Sequence, residues 1–197
     1  MSINQLNRRA LDALPTTFRY SRARRVLNER QLRSLLEAGL IERVSWGAYR
    51  KTDVADGDLD LEEISVKAPL ATLCLRSALA RHNLTDEIPP RYDVALPRRT
   101  WEPATRAPVT WHQFDAITFD VGRAPLSLGG EAAIGLYGAE RSIVDAYRLR
   151  HFEGPELANE ALRRWLRHGG QPSALLTMAA RFPAALPALR NALEVLL

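Results

Sequence analysis

Apolar residues recur at helical spacing in the first turns of the chain, at Leu6, Ala10, Leu11 and Leu14, and Pro15 ends the run. "TTFRY" then alternates as a short strand, and Ser21 is placed to cap a brief second helix, "RARRV". Asn28 and Gln31 stand at capping-box spacing ahead of an inward stripe of Leu32, Leu35 and Leu36, which Gly39 closes. "LIERVS" and "AYRK" alternate apolar and polar around "WG", the pattern of a two-stranded hairpin. Helix, short helix, capped helix and hairpin in that order predict an N-terminal winged helix-turn-helix. The expected turn glycine is replaced by Val26.

The pattern changes after the hairpin. "TDVADGDLD" is acidic and turn-rich, and serves as a linker, so residues 1–55 form one domain and 56–197 another. In the second, "LEEISVK" and "PLATLCLRSALARHNL" have helical character and are split by Pro69, which suits the first position of a helix. "RYDVAL", "VTWHQF" and "AITFDV" predict strands, and "PLSLGGEAAIGLYG" a hairpin about its Gly-Gly. A helix over "AERSIVDAYRLRH" and three more in the tail complete the chain. The fold class expected is α+β: the winged helix-turn-helix, then a mixed domain with a largely antiparallel sheet and flanking helices.

Charge sharpens this division. Through Lys51 there are 11 basic and 4 acidic residues, a balance of +7, whereas the whole chain carries +4, which leaves −3 for the rest. That asymmetry suggests a polyanion for the first part and another task for the second, with a merely solvated basic face as the rival. Hydrophobic content of 46% and charged content of 25% are those of an ordinary globular protein. No stretch approaches the roughly 18 apolar residues of a membrane span, and no apolar core follows the basic residues of the N-terminus, so a cytoplasmic protein without membrane contact is expected. Cys74 stands alone in an apolar run, as a buried small hydrophobe would.

With the leucine stripe turned inward, Arg30 and Ser34 fall on the opposite face of the capped helix and Gln31 and Arg33 on its flanks. Arginine pairs bidentately with guanine and glutamine with adenine, and one helix fits the major groove of duplex DNA. Free N–H groups at the helix start suit phosphate. In the hairpin Arg43, Trp46, Arg50 and Lys51 complete a candidate double-stranded DNA contact, directed at the backbone or a minor groove.

Catalytic chemistry finds no such constellation. His82, His112, His151 and His168 are scattered, without cysteine companions or the spacing of a zinc helix, so no metal is expected. "LGGEAAIG" lacks the Gly-Lys-Ser/Thr of a phosphate loop, and no dinucleotide fingerprint surrounds it. Asp115 and Asp120 lack the companions of a nucleotidyltransferase site, and Arg141 and Asp145 stand four apart, the spacing of a helical ion pair. The expectation is a protein that is not an enzyme and needs no cofactor.

"LNERQLRSLLEAGLIERVSWGAYRK", "SALARHNLTDEIPPRYDVALPRR" and "ERSIVDAYRLRHFEGPELANEALRRWLRHGG", in that order, resemble the AbiEi-type antitoxins of type IV toxin-antitoxin systems, from about residue 4 to the end. The resemblance implies an autoregulator that represses its own operon at inverted repeats. It also implies a C-terminal domain that counteracts a nucleotidyltransferase-like toxin, with or without direct contact. It carries DNA contact to Arg30, Gln31, Arg33 and the wing from Arg43 to Lys51, and no catalytic residue. In the second domain it marks Ser77, Leu79, His82, Pro97, Arg98, Arg99, Arg141 and Asp145. Of these, the exposed-looking Arg98 and Arg99 are the candidates for the toxin-antagonism surface. The alternative is a stand-alone transcriptional regulator whose C-terminal domain senses a small molecule.

Overall fold

The capped helix forms where its signals stand. In the structure, a computed structural model that describes residues 9–53, 58–129 and 132–196, α3 spans Glu29–Glu37. The Asn28 side chain accepts from the Gln31 N–H at 2.9 Å, and the Asn28 N–H donates to Gln31 Oε1 at 2.8 Å. That reciprocal pair satisfies two otherwise orphaned donors. Gly39, at φ +66°, takes the left-handed conformation that ends the helix cheaply. Before α3, residues 9–12 are helical (α1), and α2 covers Tyr20–Ala23. Leu6, counted above in the first helical stripe, lies outside the described residues. The cap of α2 departs from expectation: Arg19, not Ser21, is its N-cap, because β1 (Thr17–Arg19) runs directly into it.

Strand β1 is one edge of a three-stranded antiparallel sheet completed by the hairpin of β2 (Ile41–Ser45) and β3 (Ala48–Lys51), in the order β1-β3-β2. Phe18 and Tyr49 are cross-strand partners with ring centroids 6.0 Å apart. Leu11, Leu14, Ala23, Leu27, Leu32, Leu35 and Ile41 bury themselves around this pair as one core. The leucine stripe of α3 faces inward as its period requires.

The next helix, α4 (Leu59–Lys67), is capped by Asp58, whose side chain accepts from the Leu61 N–H at 3.1 Å. Its two glutamates point into protein. Glu62 accepts from the Thr17 hydroxyl and pairs with Arg50 at 3.2 Å. Glu63 pairs with Lys67 at 3.0 Å and accepts from the backbone N–H groups of Arg106 and Ala107. Arg19 donates to the carbonyls of Val66 and Lys67, capping the carboxyl end of α4. These ties explain why the compact units depart from a division at residue 55. The first takes in Met1–Ala71, Glu102–Ala107 and Pro125–Ile134, and the second Thr72–Trp101, Pro108–Ala124 and Gly135–Leu197.

The larger sheet corrects three expectations. "PLATLCLRSALARHNL" is not one helix: Thr72–Leu73 form β4, a fully buried strand, before α5 (Leu75–Arg81). A short apolar run does not distinguish a buried strand from a buried helix, and Pro69 lies in a turn. "AITFDV" is not a strand but a series of turns, initiated where Asp115 Oδ1 accepts the Ile117 N–H at 2.8 Å. Nor is the sheet largely antiparallel. Its order is β6-β5-β4-β8-β7, with β5 (Tyr92–Pro97), β6 (Val109–Phe114), β7 (Arg123–Gly129) and β8 (Ala132–Tyr137). β5 is parallel to β6 and β4 parallel to β8, while only β4 and β5 run antiparallel among the pairings with described register. Residues 98–108 form a connection long enough to return the chain to the start of β5, which a tight hairpin cannot do.

Helices α6 (Ala139–Arg148), α7 (Arg150–Glu153), α8 (Pro155–Arg167), α9 (Pro172–Ala179) and α10 (Leu186–Leu196) follow, in the predicted tail. Ile143, Val144, Leu162, Trp165, Leu175 and Leu189 belong to the core that α6, α8, α9 and α10 share. The protein is thus mixed α+β with two sheets. Among the described residues no helix is long and apolar enough to cross a membrane.

Candidate nucleic-acid interface

Arg30 and Arg33 are exposed on α3, and Gln31 and Ser34 are half-buried beside them. Gln31 also spends its side-chain oxygen on the helix cap, which fixes the amide at the start of α3. Arg33 shares a groove of about 450 Å³ with the hairpin, which contributes Arg43, Trp46 and Tyr49. Tyr20 of α2 and Leu36 of α3 line the same groove. One acidic side chain, Glu29, stands there against the two guanidinium groups of Arg33 and Arg43.

The hairpin holds these groups in place by local means. Gly47, at φ +74°, provides the left-handed residue of the turn, and its carbonyl accepts the Tyr20 N–H at 2.8 Å, tying the tip to the start of α2. The β2–β3 register shifts between Arg43 and Ser45, which re-aims the side chain of Arg43. Its guanidinium lies 5.3 Å from the Trp46 ring centroid and 5.8 Å from that of Tyr49, and reaches the Tyr49 hydroxyl at 3.4 Å. Both ring distances are within cation–π range. Trp46 remains 85% exposed, so the indole stands out from its own unit instead of folding back on it.

The wing residues divide. Lys51 is half-buried at the end of β3, its N–H donating to the Thr16 carbonyl at 2.9 Å. Arg50 corrects the sequence reading: it is only 5% exposed, with Glu62 at 3.2 Å and Glu42 at 3.5 Å. Its register opposite Thr17 turns it toward α4, and a guanidinium neutralised inside protein is not offered to phosphate. Sequence reasoning also missed Tyr20 and Tyr49 as groove residues. The pattern of "TTFRY" puts Tyr20 at the end of a strand, and the alternation of "AYRK" gives no sign that Tyr49 reaches Arg43.

In the second unit Arg98 and Arg99 are exposed just past β5, with the Arg98 N–H bonded to the Phe114 carbonyl at 2.8 Å. Arg99 has φ +69°, an uncommon conformation for a residue with a side chain, and Trp101 beside it is 82% exposed. The other residues marked by the resemblance serve packing. Ser77 Oγ accepts the Asp93 N–H at 2.8 Å, Leu79 is in the core, and His82 Nε2 lies 2.8 Å from the Tyr137 carbonyl. Arg141 and Asp145 are not a surface pair. Both are fully buried at 2.8 Å, and Arg141 also donates to the carbonyls of Thr118 and Val121 at 2.8 and 2.6 Å. The Tyr137 and Phe182 rings lie 4.3 and 4.2 Å from its guanidinium. Burial raises the pKa of the Asp145 carboxyl above its ordinary value, and the charges of Arg141 and Arg148 oppose that rise. Burial likewise pushes the Cys74 thiol well above its usual range, leaving it inert.

No protein-family model matches the chain, and no curated protein matches it. Among solved structures the chain is similar to the RV2827C protein from Mycobacterium tuberculosis, with TM-score 0.46 and 16% sequence identity over 90% of this chain and 80% of that one. That likeness is too slight to define a family, an activity or a partner.

Proposed function

We propose that the protein is a DNA-binding antitoxin that represses its own operon, residues 1–55 acting as a winged helix-turn-helix. The observation that carries the DNA reading is the pair of exposed arginines in the α3–hairpin groove, Arg33 and Arg43, with Arg30 exposed on the same helix and Trp46 exposed in the groove beside Arg43. In this reading α3 enters the major groove of a double-stranded operator, and Arg30 and Arg33 meet base edges and phosphate. Gln31 is held at the start of α3 by its cap and contributes to the same contact. Arg43, Trp46 and Lys51 hold the flanking backbone or minor groove. Inverted repeats place two copies about one helical turn apart, roughly 34–36 Å.

The second unit, in the same proposal, opposes a nucleotidyltransferase-like toxin through the surface bearing Arg98 and Arg99, and has no catalysis of its own. The ordered resemblance of the three segments supports this part. Fluorescence anisotropy with a duplex from the protein's own promoter region tests the DNA reading: Arg30→Ala and Arg33→Ala each weaken binding by about 1–3 kcal/mol. Unchanged affinity in both variants would overturn it. For the toxin, co-expression with the product of the neighbouring gene, using Arg98→Ala/Arg99→Ala, gives loss of growth rescue if that surface is the one used.

A further inference from the structure

The α3–hairpin groove is a concavity, a shape that laying a helix in duplex DNA does not require. Its volume of about 450 Å³ is in the range of small-molecule sites, roughly 300–1,000 Å³. We propose that this groove binds a small planar aromatic carboxylate, and that its occupation displaces duplex DNA. The second clause rests on the DNA reading above, and the first does not.

The lining chooses the chemistry. Tyr20, Trp46 and Tyr49 supply ring surfaces, and Leu36 an aliphatic one, so a flat apolar body is favoured over a flexible polar chain. Arg33 and Arg43 outnumber Glu29, so the charge that fits is a single negative one. A carboxylate matches the planar fork of a guanidinium with two parallel hydrogen bonds, whereas an ammonium would be repelled. Arg43 is already held against the Trp46 and Tyr49 rings, so its charge is positioned before the ligand arrives. The bond from the Tyr20 N–H to the Gly47 carbonyl fixes the far side of the groove, which lowers the ordering cost of binding. A ring seated beside Trp46 removes from water an indole that is 85% exposed in its absence.

Competition follows from shared groups. A carboxylate paired with Arg33 and Arg43 withdraws two charges that otherwise neutralise phosphate, and its ring occupies the space between α3 and the hairpin tip.

The probe is 2-naphthoate, titrated into the full-length ¹⁵N-labelled protein. Saturable shifts confined to the amides of α3 and of residues 43–49 are expected, with Trp46→Ala and Arg43→Gln each weakening the affinity at least about fivefold and leaving thermal denaturation unchanged. 2-Naphthalenemethanol, of like shape without charge, binds more weakly. No saturable shift with naphthoate, shifts elsewhere in the chain, or equal binding of the alcohol would overturn the site. Self-association abolished by Trp46→Ala would assign the groove to a second copy and overturn it as well. In anisotropy, naphthoate releases bound duplex with a midpoint that follows its own Kd. A protein that holds naphthoate yet keeps its duplex, or never binds duplex, sinks the coupling and leaves the site standing.

Discussion

Replacing Arg50 by methionine separates a structural arginine from a DNA-contacting one. The substitution keeps most of the aliphatic volume and removes the charge 3.2 Å from Glu62, whose side chain is 2% exposed. Glu62 then keeps the Thr17 hydroxyl as its donor but loses its countercharge. Breaking a buried pair from one side costs about 3–5 kcal/mol, set mainly by the stranded charge. The link to Glu42 adds little, since that carboxylate is half exposed and such pairs contribute about 0–1 kcal/mol. Removing both charges in Arg50→Met/Glu62→Leu leaves the Thr17 hydroxyl unpartnered, a cost of about 1–3 kcal/mol, so the double variant is more stable than the single one. Urea denaturation followed by circular dichroism at pH 7 measures both. A loss below about 1 kcal/mol in the single variant, or a double variant worse than the single, would refute the argument. Loss of duplex affinity without loss of stability would return Arg50 to the DNA contact.

Arg141→Met removes the guanidinium donor from the Val121 carbonyl, leaves the Thr118 carbonyl with the Val121 N–H at 3.2 Å, and leaves Asp145 with Arg148 alone, so it destabilises the second unit by about 3–5 kcal/mol; a thermal shift under one degree would contradict this. Burial raises the pKa of the Glu63 carboxyl, but the N–H groups of Arg106 and Ala107 and the Lys67 ammonium outweigh that and hold it below its ordinary 4.5. Its stabilising contribution is therefore complete above pH 4.5 and lost as the pH falls through the lower folded value; urea midpoints between pH 7 and 3 decline less steeply in Glu63→Gln, and identical profiles would argue against it. A fragment of residues 56–197 removes Arg50, Thr17 and Arg19 from α4, so it shows weaker amide protection over Leu59–Lys67 than the full chain, and equal protection would count against the division into units seen here.

The sequence made some of this architecture legible because its signals were local. The capping box of α3, the leucine stripe and the Gly47 turn each act within a few residues, and each formed where the pattern put it. What was not legible depended on partners distant in sequence. Thr72 and Leu73 become a strand because β5 and β8 receive them on either side, and nothing in their own run announces that. "AITFDV" alternates like a strand, yet its carbonyls at Thr118 and Val121 turn to Arg141, 20 or more residues away. Arg50 looked like Arg43 in composition and position; a glutamate beyond the hairpin, Glu62, decides which of the two faces solvent. The groove was half visible: Arg33, Arg43 and Trp46 came from helix period and hairpin pattern, while Tyr20 and Tyr49 required the turn that brings α2 to the hairpin.

The central claim is that α3 and the hairpin hold duplex DNA through exposed arginines, and salt dependence tests it most directly. Anisotropy of the full-length protein with a promoter duplex, repeated over a salt series, gives a log–log slope of about −0.9 for each phosphate neutralised. The account predicts tight binding with a steep slope that becomes shallower by about two units in Arg30→Ala/Arg33→Ala. A slope that the double substitution leaves unchanged, or duplex affinity that does not depend on salt at all, would contradict it.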